Sequence, residues 1–284
     1  MPGYVAAALQ KFQHPPPTKK QDAPLPWNRL IYGAHTQYAN PDNDSPLLPP
    51  ATINQVEQIV GTFLYYGLAV DPTMLVALGD LSSQQVKAAA KIYDKVIWFL
   101  NYSATHPEAN IRYHSSGMIL HVHRDASYLS APRARIRAGG HYILTDPFND
   151  ATTPPKLNVP IHSISKIMDN VMVSAAEAEI GAAYINGWEA IPIRTTLQEL
   201  NHPQPPTKMQ VDNTTAIGFA TDTIKQKRTK AINIRFYWIC DRCGQGQFKI
   251  YFKPGYNNTG DYYTKHHPPT YHRAMRPSFL RTRE

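Results

Sequence analysis

Cysteine is nearly absent from this chain: 284 residues contain two, Cys240 and Cys243. One pair so closely spaced cannot form a disulfide framework, and that scarcity fits a reducing compartment. Long apolar runs are missing as well. The longest, such as TFLYYGLAV at 62–70, falls well short of the roughly 20 residues needed to cross a bilayer. No charged-then-apolar segment opens the sequence, so secretion is not expected. These absences lead to an intracellular protein with no membrane partner, cytoplasmic or nuclear. Acidic residues are in deficit too: 21 Asp and Glu face 29 Lys and Arg, giving a formal net charge of +8 and a pI near 9.3. That balance favours a polyanionic partner, nucleic acid ahead of a membrane surface.

Proline, by contrast, is plentiful, with 25 in the chain. Residues 1–52 contain HPPPTKKQDAPLPW and YANPDNDSPLLPP, with no sustained helical or strand period, and read as a Pro-rich extended segment. Residues 53–110 read as a small helical unit. Val56, Ile59 or Val60, Phe63 and Leu64 recur at three- and four-residue steps, and Pro72 is placed to open a second helix through Leu81. Ser82-Ser83 offers a cap for a third helix carrying Val86, Ala89, Tyr93, Val96 or Ile97, and Leu100.

From residue 111 to 284 the pattern changes. Ile119–Tyr128 and Ile136–Leu144 read as antiparallel strands, with Gly139-Gly140 inside the second, and Ile161–Ile167 is a third candidate strand. An alanine-rich helix is expected over Ser174–Leu200, bent or split at Pro192. Then follow a short strand at Lys208–Val211, a short helix at Thr214–Ala220 and a basic helix from about Thr229 to Arg242. A strand at Phe248–Phe252 and a helical turn at Gly260–His267 complete the series. Three early strands followed by alternating helix and strand imply an α/β domain with a mixed sheet.

Four acids fall at the edges of these elements: Asp125 near the end of ILHVHRDASY, Glu179 in VSAAEAEIGAAY, Asp212 ending KMQVDN, and Asp261 in NNTGDYYTKHH. Carboxylates brought from separate elements are what a pair of Mg²⁺ or Mn²⁺ ions requires, because these cations prefer oxygen ligands. An aspartate at a strand end is, alone, often only a turn or cap residue. Glu177 and Glu179 compete for one place, since residues two apart on a helix point to nearly opposite faces.

In order, the motifs HRDASYLS, RARIRAGGHYIL, SAAEAEIGAAYI, PPTKMQVDNTTAIGF, KRTKAINIRFYW and GDYYTKHH resemble the ribonuclease H domain of copia-type retrotransposon Pol polyproteins. VEQIVGTFLYYGLAVDPTMLVALGDLSSQQ and DKVIWFLNYSATHPEANIRY resemble the segment that connects polymerase to ribonuclease H in the same polyproteins. The resemblance implies a ribonuclease H-like mixed five-stranded sheet flanked by helices. It also implies two-metal-ion hydrolysis of the RNA strand of RNA–DNA hybrids, with Asp125, Glu179, Asp212 and Asp261 as metal ligands and catalytic residues. The family motif selects Glu179, the acid followed by Ile180, and leaves Glu177 near the helix start. The polymerase's paired aspartates do not occur, so no polymerase active site is expected in this chain, and the polymerase part of a polyprotein becomes a partner. The loop YFKPGYNNTG lacks the histidine that many ribonucleases H carry before the last aspartate, which implies altered turnover.

Lys227, Arg228, Lys230 and Arg235 lie in a basic run interleaved with Phe236, Tyr237 and Trp238, and are the candidate phosphate contacts. The rings themselves read as core. Cys240 and Cys243 form half a zinc site that only His266, His267 or His272 could complete, which is weak support for zinc. His121 and His123 beside Asp125 stay unassigned. The rival to an enzyme is a catalytically idle polyprotein remnant that binds nucleic acid or docks a polymerase. An integrase-like nuclease fits poorly, because its acids come in the order Asp, Asp, Glu.

Overall fold

The computed structural model describes all residues except 28–44, 132–134, 149–156, 170–171, 173, 213–229, 256–257 and 281–284, and the chain divides into two units. Residues 1–112 and 266–284 form a helical unit, and residues 113–265 a sheet unit.

In the helical unit, α1 (Tyr4–Lys11) buries Val5 and Ala8, and the Tyr4 ring stacks on Tyr66 at 5.4 Å between ring centres. A helix here departs from the extended segment expected for residues 1–52; eight residues with no side-chain cap leave little sequence signal. Next come α2 (Pro50–Ala69), a 3₁₀ turn at Pro72–Met74, and α3 (Leu75–Ser82). Pro50 stands in the first turn of α2, where a missing N–H costs nothing, and Val56, Ile59, Val60, Phe63 and Tyr66 form its buried stripe. Ser82 and Ser83 cap no following helix: their hydroxyls donate back to Gly79 and Asp80 carbonyls, and α4 (Ala90–Thr105) starts later. Val86, expected on its apolar stripe, is 74% exposed in the connection.

The last helix of the chain, α7 (Pro269–Phe279), returns to this unit and not to the sheet that precedes it. Arg276 donates to buried Asp71 at 2.8 Å, and His272 Nε2 lies 2.9 Å from the Tyr102 hydroxyl. The expected single span from 111 to 284 is thus interrupted, because Arg276 finds its counter-ion in the N-terminal part of the chain.

The sheet unit holds five strands in the order β3-β2-β1-β4-β5. These are β1 (Ile119–Ala131), β2 (Arg135–Thr145), β3 (His162–Ile167), β4 (Thr207–Val211) and β5 (Phe248–Phe252). The first three pair antiparallel, while β4 runs parallel to both β1 and β5. The long helix α5 (Ala175–Glu199) covers one face together with α6 (Lys230–Gly244). Pro192 lies within α5 without dividing it. The expected helix at Thr214–Ala220 lies outside the described residues.

Strand alternation gives β1 two different faces. Leu120 and Val122 join Tyr142, Ala190, Leu197, Met209 and Phe248 in the core beneath α5. His121, His123 and Asp125 point the other way, where a 3₁₀ turn (Thr259–Tyr263) meets His123 and Asp125 and the Tyr251 and Phe148 rings meet His121. That turn lies directly on the sheet. A Cβ on Gly260 would sit 2.7 Å from the His123 carbonyl and 2.9 Å from the Arg124 Cα, and one on Gly139 would meet the Gly260 carbonyl at 2.4 Å. Only residues without side chains allow so close an approach.

Candidate metal centre

Parallel pairing of β1 with β4 ends at His123↔Gln210. Asp125 and Asp212 each lie two residues beyond that pair, so the register alone carries both carboxylates to one level. Helix α5 supplies the third acid near its N-terminus, where the Ser174 hydroxyl caps the Glu177 N–H. Glu177 thereby belongs to the first turn and Glu179 is buried. One carboxylate oxygen from each of Asp125, Glu179 and Asp212 lies within 4.8 Å of the others. Asp125 and Glu179 are both 5% exposed, while Asp212 is exposed.

Asp261 is not within that mutual reach. The 3₁₀ turn nevertheless holds it near enough for its charge to act on Asp125, and Lys265 Nζ donates to it at 2.6 Å. Burial, then the neighbouring charges of Glu179, Asp261 and Asp212, push the Asp125 carboxyl well above the usual carboxylate range, with Lys265 opposing. The Thr264 hydroxyl lies 3.1 Å from Asp125 Oδ2. Burial also raises Glu179, against the pull of Arg124. Burial without enough counter-charge, at oxygens from three elements, matches what a hard divalent cation requires, so the donor set fits Mg²⁺ or Mn²⁺.

The residues next to the acids were not legible as a site. Arg124, Thr264 and Lys265 all touch the cluster. Lys265 is four residues past Asp261, a spacing that signals an ion pair once the turn is recognised. Arg124 gives no such signal, because in a strand it should face away from Asp125. His121, His123 and His141 are buried on the Asp125 side of the sheet, with His121 Nε2 2.7 Å from the Tyr251 hydroxyl and the Thr259 hydroxyl 2.8 Å from His123 Nδ1. Burial holds them neutral and lowers His123 to about 3.

Of the candidate phosphate contacts, Lys227 and Arg228 lie outside the described residues, as does the side chain of Lys230 at the start of α6. Arg235 is half-buried with its guanidinium 5.6 Å from the centre of the Tyr184 ring. Phe236 is core, as expected of the rings, whereas Tyr237 is 63% exposed. Cys240 and Cys243 lie on α6 and form no disulfide, and burial raises Cys243 to about 11. Among the described residues the carboxylate trio is the only set of three such ligands in reach of one ion, so no zinc site is assembled. None of the trio lines the cavity of about 510 Å³ in the helical unit, which is bounded by Asp22, His106, Glu108, His272 and Arg273.

A mixed sheet of this order, with acids on its central strand, on the following helix and at the end of the adjacent parallel strand, defines a ribonuclease H-like fold. In sequence the chain is similar to the retrovirus-related Pol polyprotein from transposon TNT 1-94 of Nicotiana tabacum, a copia-type element, with 26% identity over 206 residues. The match takes in 72% of this chain, which spans 15% of the polyprotein. No protein-family model matches. Similar solved structures include an N-terminal RNase H domain from Mycobacterium tuberculosis, with 11% identity, 56% of this chain, 96% of that one and a TM-score of 0.35. An RNase H1 solved in complex with an RNA/DNA hybrid gives 11%, 51%, 93% and 0.37. The RNase H1 of Halobacterium salinarum gives 11%, 51%, 94% and 0.34. Among the described residues, no helix is long and apolar enough to cross a membrane.

Proposed function

We propose that this chain is a ribonuclease H that hydrolyses the RNA strand of RNA–DNA hybrids with two divalent cations held by Asp125, Glu179, Asp212 and Asp261. The observation that carries the proposal is the convergence of three carboxylates from β1, α5 and the end of β4, two of them buried. Kept charged, these groups would repel one another without a cation. Mg²⁺ or Mn²⁺, when bound, supplies the charge that phosphodiester cleavage needs on both the attacking and the leaving oxygen. The protein's own share is positional. β1 and β4 fix two carboxylates through their shared register, Gly260 seats the Asp261 turn on β1, and Thr264 orients Asp125. The net charge of +8 provides attraction for a polyanion.

The rival, an idle remnant that binds nucleic acid or docks the polymerase part of a polyprotein, draws on one observation. Glu179 is already engaged by a buried arginine. The test is Mg²⁺-dependent cleavage of a labelled RNA–DNA hybrid by the full chain and by Asp125→Asn. A cutting wild type and a folded variant weakened by about 10³ or more support the enzyme. Equal activity in both removes Asp125 from the chemistry, and no activity in either favours the remnant.

A further inference from the structure

The 3₁₀ turn that carries Asp261 opens with N–H groups that need acceptors. The Asp261 N–H returns to the Asn258 carbonyl at 3.1 Å, and the Gly260 N–H goes to the Asn258 side chain at 3.0 Å. The Thr259 N–H leaves the turn: His123 Nδ1 on β1 accepts it at 3.2 Å, and the Thr259 hydroxyl lies 2.8 Å from the same nitrogen. His123 thus caps the turn from another element, as a side-chain N-cap does from within its own helix. A backbone amide can only donate, so the nitrogen that faces it must bear a lone pair. The ring is therefore neutral, with its proton on Nε2. Nε2 has no hydrogen-bond partner among the described residues, so the Thr259 side alone fixes the tautomer.

The grip at Thr259 bears on Asp261. His123 and Asp125 share a face of β1 two residues apart, roughly 6.6 Å along the strand. Thr259 and Asp261 are likewise two residues apart in the turn. Fastening Thr259 to His123 therefore sets Asp261 down near Asp125, where its charge acts on that carboxyl. At the far end the Thr264 hydroxyl lies 3.1 Å from Asp125, and the Tyr263 carbonyl accepts from the Ser165 hydroxyl at 2.8 Å. A histidine that is 1% exposed costs stability unless its nitrogens are bonded, and an apolar side chain would fill the place without that cost. What the imidazole adds is direction. A hydrogen bond fixes distance and angle, whereas apolar contact lets a turn slide.

We propose that His123 is a positioning residue for Asp261: its unprotonated Nδ1 holds the first residue of the turn and thereby fixes Asp261 against Asp125 in the orientation that hydrolysis uses. The inference rests on the reading above that Asp261 serves hydrolysis, and the hold on the turn is tested apart from it.

The experiment compares the full wild-type chain with His123→Leu, which loses the acceptor, and with His123→Asn, whose side-chain oxygen can stand near the place of Nδ1. The measurements are nitrogen NMR of the histidine side chains, amide hydrogen exchange in metal-free protein, and Mg²⁺-dependent cleavage of a labelled RNA–DNA hybrid. In wild type His123 should carry its proton on Nε2, and a proton on Nδ1 overturns the proposal. In His123→Leu the Thr259 and Gly260 amides should exchange about tenfold or more faster than in wild type, while amides in the β2–β3 pairing keep their rates. Its kcat should fall about ten- to a hundredfold with KM for the hybrid little changed, the usual scale for groups that hold the ligands of a site. His123→Asn should restore most of both, which a merely space-filling ring would not allow. A folded His123→Leu variant with wild-type exchange in the turn overturns the proposal, and so do equal losses in the Leu and Asn variants. Faster exchange with an unchanged kcat overturns it as well, because the turn would then be held to no catalytic purpose. If His123→Leu does not fold, His123→Asn decides: wild-type exchange in the turn supports the proposal, and free exchange or failure to fold overturns it. A wild type that cleaves no hybrid would overturn the reading of the site as an enzyme, and the tautomer and exchange results would still decide whether His123 holds the turn.

Discussion

Asp71 in the helical unit and Asp125 in the sheet unit are both buried aspartates, 0% and 5% exposed, and their surroundings are opposites. Asp71 accepts from the Thr73 N–H at 3.1 Å, from the Thr73 hydroxyl, and from Arg276 at 2.8 Å. Each element that meets it brings a donor or a positive charge. Asp125 receives one hydroxyl, from Thr264, and three further carboxylates act on it. A charge that stabilises a fold is buried together with its counter-charge. A charge left in like-charged company costs stability, and it persists where something outside the chain completes it. The helical unit uses its buried acid to tie α7 to α3's preceding turn, whereas the sheet unit keeps its acid in deficit.

The largest effect should come from breaking the balanced side. Arg276→Met leaves Asp71 buried with hydrogen bonds but no cation, and should cost about 3–5 kcal/mol in urea unfolding. A loss below about 1 kcal/mol would mean that the α7 contact with Asp71 is incidental.

Two glycines sharpen the comparison at the next scale. Gly260→Ala drives a Cβ into His123 and Arg124 backbone atoms, which cannot turn aside, and should cost about 1–3 kcal/mol while displacing Asp261. Gly61→Ala, inside α2 with nothing within 4 Å, should instead gain about 0.5–1 kcal/mol through helix propensity. Thermal unfolding of both variants should therefore shift in opposite directions.

The smallest effect is a slope against pH. The folded Asp125 pKa is raised, so metal-free native protein takes up a proton that the unfolded chain still lacks. Its penalty is present above the folded pKa and is relieved as pH falls towards the unfolded value of about 3.9. Relative to Asp125→Asn, metal-free wild type should gain stability on acidification, by at most about 1.4 kcal/mol per pH unit. The helical unit runs the other way. His272, lowered to about 3 by burial, must stay neutral in the fold, and its contribution is lost as pH drops below the unfolded value of about 6.5. Paired denaturation curves from pH 7.5 to 5 measure both trends, and parallel curves for wild type and Asp125→Asn would contradict the excess charge assigned to the sheet unit.

Much of the sheet was legible because each strand carried its own local signal. Alternation marked β1, and the spacing of Val56, Ile59 or Val60, Phe63 and Leu64 marked α2, whose first residues from Pro50 had been read as part of the extended segment. The four acids could be listed from their positions at element edges, but listing them did not say which would meet. The β1–β4 register and the seating of Gly260 on β1 decided that, and each is a relation between residues more than 80 apart. The sequence by itself determined a basic, cysteine-poor α/β chain, its strand order of types and the candidate acids, since composition and short-range periodicity are local properties. Only the tertiary structure decided that α7 joins the helical unit, that Ser82-Ser83 caps nothing downstream, that His121, His123 and His141 are buried on the Asp125 side of the sheet, and that Arg124 pairs with Glu179. Those outcomes depend on which charge finds which partner across the fold, and no local pattern encodes the partner.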